Sequence, residues 1–492
     1  MTERIQTIDK NQSLFFISMV WLSISVIISA LVHETNAESF LRFICLETLV
    51  FFILIINNFR RAKKTVFGIV TLFILMMFLF LEGQVLLEVF HLNEYGILSG
   101  KFTTYELIRG ILKVHIFTAV FTLACSFFRT ENAPSLKTEA ERTLGNDRCA
   151  MQVGYIITAC AAPFEMYVNL RKIQFVRTDG YASLYQEAAL SSIPSGIKIL
   201  SYFFLPGCFY IFYSSKNKSV HEYISLILIG LHCFIEILIG YRSMAITPIL
   251  LVVYGLTVKS GGQMKKGNKK KIILLCAVML FLIIVIFPLM RATRNSGGIS
   301  ELSFDEIFSA ENNELFATVS DMGKSLQTVI YTQKYVPSQY PYRYGYTYLM
   351  NLTEAIPNFF WSRHPAEVYG SLGKWITKIV DYDFYKFGGS IGYSCVAEAY
   401  INFGNIGIVV FAFVLGAVLQ SVENKVENSG NAAYFASWTI VANYLLMYPR
   451  GELSNIVRGF FWYMLLPLLF TKIYKGKSGK GVYGRHPDKK QI

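Results

Sequence analysis

Apolar runs of about twenty residues recur along the chain and constrain its fold more than any other feature. An apolar helix of that length crosses the hydrocarbon core of a bilayer, and lipid requires backbone polar groups to be satisfied within the protein. The sequence therefore predicts an all-α polytopic membrane protein with about twelve transmembrane helices. The predicted spans lie at about residues 13–32, 40–58, 65–82, 108–128, 149–169, 191–213, 222–240, 243–258, 272–290, 391–420, 431–448 and 459–474.

Composition and charge agree with this class. The chain is 53% hydrophobic and 16% charged, whereas soluble domains carry about 25% charged residues. Its net charge of +13 comes from lysine clusters beside apolar segments, without a nucleic-acid-binding motif, so we expect no nucleic-acid partner. The eight cysteines contain no Cys-x-x-Cys pair, which argues against a disulfide framework or a zinc site.

The lysine clusters predict the orientation in the membrane. With the N-terminus inside, they all fall in inner loops and in the tail: residues 60–64, Lys216 and Lys218, residues 259–271, Lys425 and the tail from Lys472. Cytoplasmic loops carry such an excess of positive charge. We expect both termini in the cytoplasm and a first span that is retained, not cleaved as a signal peptide.

One long polar stretch, residues 291–390, interrupts the apolar runs between spans 9 and 10 and is predicted to be extracytoplasmic. Ser303 and Glu306 have the spacing of a capping box, and apolar residues then recur at helical spacing up to Ile330. The predicted divisions are residues 1–290 (spans 1–9), 291–390 (a partly helical outer loop or lid), 391–474 (spans 10–12) and 475–492 (a basic cytoplasmic tail).

Arginines collect on the predicted outer face, against the usual charge bias. Each could instead anchor at lipid headgroups or pair with a nearby acid. His232 and Glu236 stand four residues apart on one helical face, and Glu47, Glu82, Glu88 and Glu165 also lie in or near spans. Each could line a cavity or sit at a helix end near water.

Alternating tyrosines mark the centre of the outer stretch, from Tyr340 to Tyr348. If that segment is extended, the tyrosines share one face that could stack on sugar rings, although tyrosine belts also occur at membrane interfaces. The glycines at 388–392 lack the following Lys-Ser/Thr of a nucleotide loop and are better explained as a flexible lead into the next helix. That helix carries Glu398 and Asn402 four residues apart.

Four strings together resemble the Wzy-type O-antigen and capsular polysaccharide polymerases, best from about Gly240 onward. They are GYRSMAITP at 240–248, YRYGYTYL at 342–349 with Ile356-Pro357, GGSIGYSCVAEAYINFG at 388–404, and YPRGELSNIVR at 448–458. The resemblance implies an enzyme of the inner membrane that joins polyprenyl-diphosphate-linked oligosaccharide repeats at the extracytoplasmic face. It implies no nucleotide sugar, metal or other cofactor. The lipid bilayer is an expected partner, and a chain-length regulator is left open.

Arginine offers a permanently charged fork for diphosphate oxygens, and an acceptor hydroxyl needs a base. The expected diphosphate-binding residues are Arg242, Arg291, Arg294, Arg343, Arg450 and Arg458. The candidate catalytic bases are Glu398, then Glu452, then His364, and the candidate glycan-binding residues are Tyr342, Tyr344, Tyr346 and Tyr393. Two alternatives remain: a metal-independent ligase-like glycosyltransferase, and a lipid-linked oligosaccharide flippase, which would need pseudo-repeated halves.

Overall fold

The computed structural model describes residues 2–62, 68–130, 147–179, 183–184, 192–259, 271, 273–274, 314–356 and 361–482. Within those ranges every regular element is a helix, which confirms the all-α class. Three parts of the sequence-based prediction fall outside the described residues: the span at 272–290 apart from residues 273–274, the capping box at Ser303, and Arg291 with Arg294.

The first half of the chain forms ten helices among the described residues. They are α1 (Thr2–Leu31), α2 (Ala37–Ala62), α3 (Ile69–Leu81), α4 (Gly83–Glu88), α5 (Thr104–Phe128), α6 (Arg148–Asp179), α7 (Ser195–Ser201), α8 (Phe204–Ser214), α9 (Val220–Ile239) and α10 (Arg242–Lys259). A short 3-10 helix, Ile97–Gly100, precedes α5. Local sequence sets several ends: Thr103 and Glu106 form a capping box at α5, and left-handed Gly240 ends α9.

The described part of the second half begins with short helices and ends with long ones. They are α11 (Glu314–Gly323), α12 (Leu326–Tyr335), α13 (Tyr346–Leu352), α14 (Pro365–Tyr369), α15 (Leu372–Val380), α16 (Tyr382–Lys386), α17 (Cys395–Ser429), α18 (Ala432–Leu445), α19 (Leu453–Arg458) and α20 (Leu466–Val482). The 3-10 helices Thr353–Ala355 and Tyr448–Arg450 lie between them, and a π-helix, Gly459–Leu465, joins α19 to α20.

Eight stretches of the described chain are helical, long and apolar enough to cross a membrane, so this is a multi-pass membrane protein. They are Asn11–Leu31, Ala37–Arg60, Thr104–Phe128, Ser195–Ser214, Val220–Ile239, Arg242–Lys259, Cys395–Ser429 and Leu453–Gly476. The predicted spans at 65–82 and 431–448 correspond to the shorter helices α3 and α18, and the span at 149–169 lies within α6. A layout of twelve spans stays a prediction.

Helix α5 lies at the centre of one group of helices, where it packs against α1, α2, α12 and α17. A Cβ added at Gly416 of α17 would lie 2.5 Å from the carbonyl oxygen of Phe121 in α5, so only glycine permits this approach. A second group forms around α8, which packs against α6, α9 and α18. The seven cysteines in the described ranges are free thiols.

The short helices between α10 and α17 pack on helices from both halves of the chain. Helix α11 contacts α4, α12 contacts both α5 and α17, and α13 contacts α19. Helices α11 and α12 match the predicted helical segment, and their apolar residues Leu326, Val329 and Ile330 are buried. The described part of the polar stretch is therefore attached to the long helices at several points.

Candidate active site

A cavity of about 600 Å³ lies among the short helices α13, α14 and α15. Its wall combines two arginines with aromatic side chains and backbone. The lining residues are Arg343, Tyr346, Met350, Arg363, Pro365, Val368, Tyr369, Gly370, Ser371, Leu372 and Trp375. These lining residues include no carboxylate and no imidazole. The charged groups of the wall are therefore the two arginines, and its polar side chains are hydroxyls and the Trp375 indole.

Local capping places the three helices around the cavity. Left-handed Gly345 (φ +85°) precedes α13, and its N–H donates to Asn402 Oδ1 at 2.9 Å. Helix α14 starts with Pro365, and the ring of His364 caps it. Helix α15 starts after Ser371, whose hydroxyl accepts from the Lys374 N–H at 3.1 Å. These N-terminal caps fix where α14 and α15 begin, and thereby place Tyr369 of α14 and Trp375 of α15 in the cavity wall.

Two buried hydrogen-bond donors in this wall have no acceptor. Arg343 Nε and the Tyr369 hydroxyl oxygen are both buried without a hydrogen-bond partner. The Arg343 guanidinium carbon also lies 5.8 Å from the centre of the Trp375 ring. Because unsatisfied buried polar groups are costly, these donors fit a site whose ligand brings the acceptors.

The Tyr369 hydroxyl is held in its neutral form. Burial raises the pKa of Tyr369 to about 12, the nearby Arg343 charge opposes this shift, and the Glu452 and Glu398 charges add to it. At neutral pH the phenol therefore carries its proton and can donate a hydrogen bond. Arg363 completes the basic part of the wall, and its exposed side chain lies 3.7 Å from Glu367.

Glu398 lies in the first turn of α17 and is fully buried. Its carboxylate accepts hydrogen bonds from Asn351 Nδ2 at 2.7 Å, the Leu453 N–H at 3.0 Å and the Tyr448 hydroxyl at 3.2 Å. Thr347 Oγ1 lies at 3.5 Å. One carboxylate thus joins α13, α17 and the segment that leads into α19.

Helix α17 is broken one turn after Glu398. Phe403 (φ −140°, ψ 21°) and Gly404 (φ 61°, ψ −144°) are not helical, and the Gly404 conformation is one that glycine alone adopts readily. The carbonyls freed at Ile401 and Asn402 accept the N–H groups of Arg343 and Tyr344 at 2.9 and 3.0 Å. The break therefore anchors the backbone that carries Arg343.

Glu452 lies behind the cavity wall. Its two carboxylate oxygens accept the N–H groups of Leu372 and Gly373, each at 3.0 Å, at the start of α15. Burial raises the pKa of Glu452 above its ordinary value, and the two backbone N–H groups oppose that shift. Glu452 is thus an acceptor for the first turn of α15, a helix that supplies Leu372 and Trp375 to the wall.

Both ring nitrogens of His364 are engaged. Nε2 donates to the Ile356 carbonyl at 3.1 Å, and Nδ1 accepts from the Ala366 N–H at 3.2 Å. The ring also packs edge-on against Trp361. His364 lies between two cavity residues, Arg363 and Pro365, yet its nitrogens serve the local backbone.

The candidate glycan-binding tyrosines do not form an extended ladder. The chain turns at Tyr344 (φ 46°) and Tyr346 begins α13, so the tyrosines do not share one face. Tyr346 lines the cavity and packs edge-on against Tyr369. Tyr344 is exposed and Tyr342 is half-buried against Tyr400.

Tyr393 does not line the cavity. It is buried, and its hydroxyl lies 2.9 Å from Thr332 Oγ1.

The remaining described candidate arginines do not line the cavity at Arg343. Arg242 starts α10, and exposed Arg450 ends the 3-10 helix Tyr448–Arg450, next to Gly392. Arg458 ends α19 and forms an ion pair with Glu354. The described arginines of the predicted diphosphate clamp therefore do not all meet in one cavity.

A second cavity, of about 300 Å³, includes Arg458 in its wall. Glu165, His232 and Glu236 also line it, which answers the question left open for the pair His232–Glu236. His232 Nδ1 lies 2.9 Å from Glu165, and Lys172 Nζ lies 3.8 Å from Glu236.

The ligand atoms of Glu165, His232 and Glu236 lie within 4.8 Å of one another, close enough to hold a metal ion. His232 and Lys172 already pair with the two carboxylates, so this geometry is explained without one.

Comparison with protein families decides what this membrane protein is. Residues 14–477 match the family described as O-antigen polysaccharide polymerase Wzy. The chain belongs to this family. Nothing among the curated proteins or the solved structures that were searched matches the chain.

Membership in the Wzy family makes the chain a polysaccharide polymerase that acts on lipid-linked repeat units. The family match confirms the resemblance read from the four sequence strings, and it covers the N-terminal half as well. It does not favour a ligase-like transferase or a flippase.

Sequence reasoning missed three residues of this Wzy protein's cavity and network: Tyr369, Trp375 and Asn351. Trp375 had a weak signal, because Leu372, Trp375 and Ile376 recur at the spacing of one helical face. Tyr369 and Asn351 carry no sequence signal of their own. Their roles come from contacts with residues far along the chain, Arg343 and Glu398.

Proposed function

We propose that this polymerase transfers the growing glycan from a polyprenyl diphosphate carrier to the incoming lipid-linked repeat unit, with the cavity at Arg343 as its diphosphate site. One observation carries the proposal: Arg343 Nε and the Tyr369 hydroxyl are buried donors without acceptors in the same wall. Diphosphate oxygens are strong acceptors, and hydrogen bonds to charged groups stabilise by about 1.5–3 kcal/mol each.

The aromatic part of the wall suits the sugar next to the diphosphate. Tyr346 and Trp375 expose ring surface to the cavity beside Arg343. Apolar sugar faces pack on aromatic rings while the hydroxyls keep polar partners. The 600 Å³ volume is in the range of small-molecule sites, so it fits a diphosphate with its first sugars and not a long polymer.

The reaction needs one bond to break and one to form. The bond between the anomeric carbon and the diphosphate oxygen breaks, and the acceptor hydroxyl oxygen bonds to that carbon. Arg343, Arg363 and Tyr369 stabilise the negative charge that develops on the departing diphosphate. Because the described lining residues include no carboxylate or imidazole, we propose that the acceptor proton leaves with the diphosphate.

The three candidate bases are assigned to positioning in this proposal. Glu398 binds α13 to α17, Glu452 binds the start of α15, and His364 caps α14. Helices α13, α14 and α15 each carry residues of the cavity wall. Loss of any of the three side chains would displace Arg343, Tyr369 or Trp375 without removing a proton acceptor.

The second cavity and the outer arginines belong to the wider substrate path in this proposal. Arg242, Arg450 and Arg458, with Arg291 and Arg294 outside the described residues, would meet the second lipid diphosphate or the anionic headgroups around it. Tyr342 and Tyr344 would contact the glycan outside the cavity.

We also propose the membrane layout on which this mechanism rests. Twelve spans place both termini in the cytoplasm, and residues 291–390 form an extracytoplasmic lid on the inner membrane, in line with the lysine-rich inner loops. A chain-length regulator could bind this outer face.

Purified protein in detergent, supplied with lipid-linked repeat units, tests the function. A ladder of longer lipid-linked glycans with release of polyprenyl diphosphate is expected. Release of the diphosphate without longer glycans would overturn the transfer proposal. Scrambling of the lipid in vesicles without a ladder would favour a transporter. The same assay with the Arg343→Lys variant tests whether the cavity at Arg343 is the diphosphate site.

A further inference from the structure

Three ionisable side chains meet in the interior of the first helix group, away from both cavities. They are Glu47 of α2, Glu82 at the junction of α3 and α4, and His115 of α5. Their side chains are 2%, 1% and 0% exposed. Glu47 Oε1 lies 3.9 Å from His115 Nδ1, and Glu82 Oε1 lies 3.8 Å from His115 Nε2.

The indole N–H of Trp21 in α1 faces the Glu47 carboxyl, but outside hydrogen-bonding geometry. All four carboxyl oxygens of Glu47 and Glu82 are buried without a hydrogen-bond partner, and so is His115 Nδ1. Two ionised carboxylates in such a place would be uncompensated and strongly unfavourable, since buried charges require a partner. The charge must therefore be neutralised by something bound between these groups.

Thr48 fixes the protonation of the imidazole. Its hydroxyl donates to the Ile44 carbonyl at 2.7 Å, so its oxygen is left to accept from His115 Nε2–H at 2.9 Å. The proton on Nε2 is thereby assigned. Two arrangements remain for Nδ1. If Nδ1 is a lone pair, the neutral Glu47 carboxyl carries the proton; if Nδ1 is a second N–H, it faces the Glu47 carboxylate. In both arrangements one proton is shared between Nδ1 and Glu47.

We propose that Glu47, His115 and Glu82 form an intramembrane proton site that holds two protons at neutral pH. One proton lies between Glu47 and His115 Nδ1, and the other is on the Glu82 carboxyl. With both in place the site carries no net charge. The imidazole lies between the two carboxyls: Nδ1 faces Glu47, while the Nε2–H is bound to Thr48 and Nε2 lies 3.8 Å from Glu82.

The position of Glu82 relates this site to the outer helices. Glu82 (φ −123°, ψ 5°) interrupts the helix between α3 and α4. Two residues further on, Gln84 Nε2 donates to the Ser320 carbonyl of α11 at 2.9 Å. Glu82 of the proton site is therefore only two residues from Gln84, which contacts α11 in the polar stretch. It does not depend on the proposed diphosphate site.

Infrared difference spectroscopy of the full-length protein in lipid nanodiscs tests the proposal. The wild-type spectrum at neutral pH should contain carboxylic-acid C=O bands. Glu82→Gln should remove one of them, and Glu47→Gln should remove or shift a second one. Glu88→Gln is the matched control, because the Glu88 carboxyl accepts from Asn93 Nδ2 at 2.6 Å outside this group of three side chains, and the variant should leave the bands assigned to Glu47 and Glu82 in place.

His115→Asn provides a second variant should Glu47→Gln fail to fold. It removes the acceptor of the Glu47 proton, so the Glu47 acid band should move while the Glu82 band stays. Spectra in which neither glutamate substitution removes or shifts an acid band would overturn the proposal. Bands that disappear on addition of Na⁺ would overturn it in favour of a sodium site.

Discussion

The side-chain amide of Asn351 donates a 2.7 Å hydrogen bond to the buried carboxylate of Glu398, and this bond joins α13 to the broken helix α17. Further donors from Tyr448 and the Leu453 backbone meet the same carboxylate. Because Glu398 acts only as an acceptor here, its function in the polymerase can be separated from proton transfer.

Glu398→Gln should lower both stability and chain extension without changing the form of the pH dependence. The new amide N–H₂ would face existing donors, at a cost of about 1–3 kcal/mol in the free energy of unfolding. We would measure unfolding and the pH–rate profile of chain extension in detergent. Asn351→Ala should reproduce both effects. Loss of one limb of the wild-type profile in Glu398→Gln alone would instead identify Glu398 as a base.

Arg343→Lys should reduce kcat/KM for chain extension by about 10- to 150-fold, the kinetic equivalent of one charge-assisted hydrogen bond of about 1.5–3 kcal/mol. Lysine keeps the charge but loses the planar fork and the contact with Trp375. Arg109→Lys, at an exposed arginine of α5, is the control and should extend chains normally. Full activity in the Arg343→Lys variant would contradict the proposal that this cavity binds the diphosphate.

Tyr369→Phe should impair the reaction without destabilising the protein. Its hydroxyl has no hydrogen-bond partner within the protein, so its removal should leave the unfolding midpoint unchanged or slightly raised. We expect chain extension to fall by at least about tenfold, since the diphosphate loses a donor.

Tyr393→Phe is the matched substitution for Tyr369→Phe. It removes the bond between the Tyr393 hydroxyl and Thr332, so it should cost about 1 kcal/mol of stability and affect activity little. If Tyr393→Phe lowered activity and Tyr369→Phe lowered only stability, the substrate contact would instead lie at Tyr393.

Glu452 should make stability depend on pH. Burial raises its pKa above the ordinary 4.5, so the folded state binds the proton more tightly than the unfolded state. The free energy of unfolding contributed by this group should therefore fall as pH rises from 4.5 through the folded pKa.

Thermal unfolding between about pH 4 and 8 measures this dependence. Glu452→Gln should flatten the curve, and Glu367→Gln, at an exposed carboxylate, should not. A Glu452→Gln curve parallel to the wild type would contradict the assignment.

Sequence patterns predicted the parts of this protein that depend on short-range periodicity. Apolar runs located eight helices that can cross a membrane, and the spacing of Leu326, Val329 and Ile330 predicted a helix in the polar stretch. The sequence also placed Glu398 and Asn402 on the same face of a helix, because residues four apart are about one helical turn apart.

The arrangement of the cavity could not be read from the sequence. Alternating tyrosines suggested an extended strand, but left-handed Gly345 and the start of α13 at Tyr346 overrode that pattern. Glu452 was a candidate base by residue type alone, and only the fold shows that two backbone N–H groups of α15 occupy it. Such contacts join segments about 80 residues apart, which no local pattern encodes.

The break at Gly404 bears on how repeat-unit specificity could be exchanged between polymerases. The backbone at Arg343 and Tyr344 completes the hydrogen bonding of α17 at Ile401 and Asn402, so neither segment has a finished set of bonds by itself. A chimera that imports a foreign tyrosine-rich segment alone keeps these two hydrogen bonds only if that segment follows the same backbone path past the host helix. The two segments form one transplantable unit, and recombination that preserves activity should move them together.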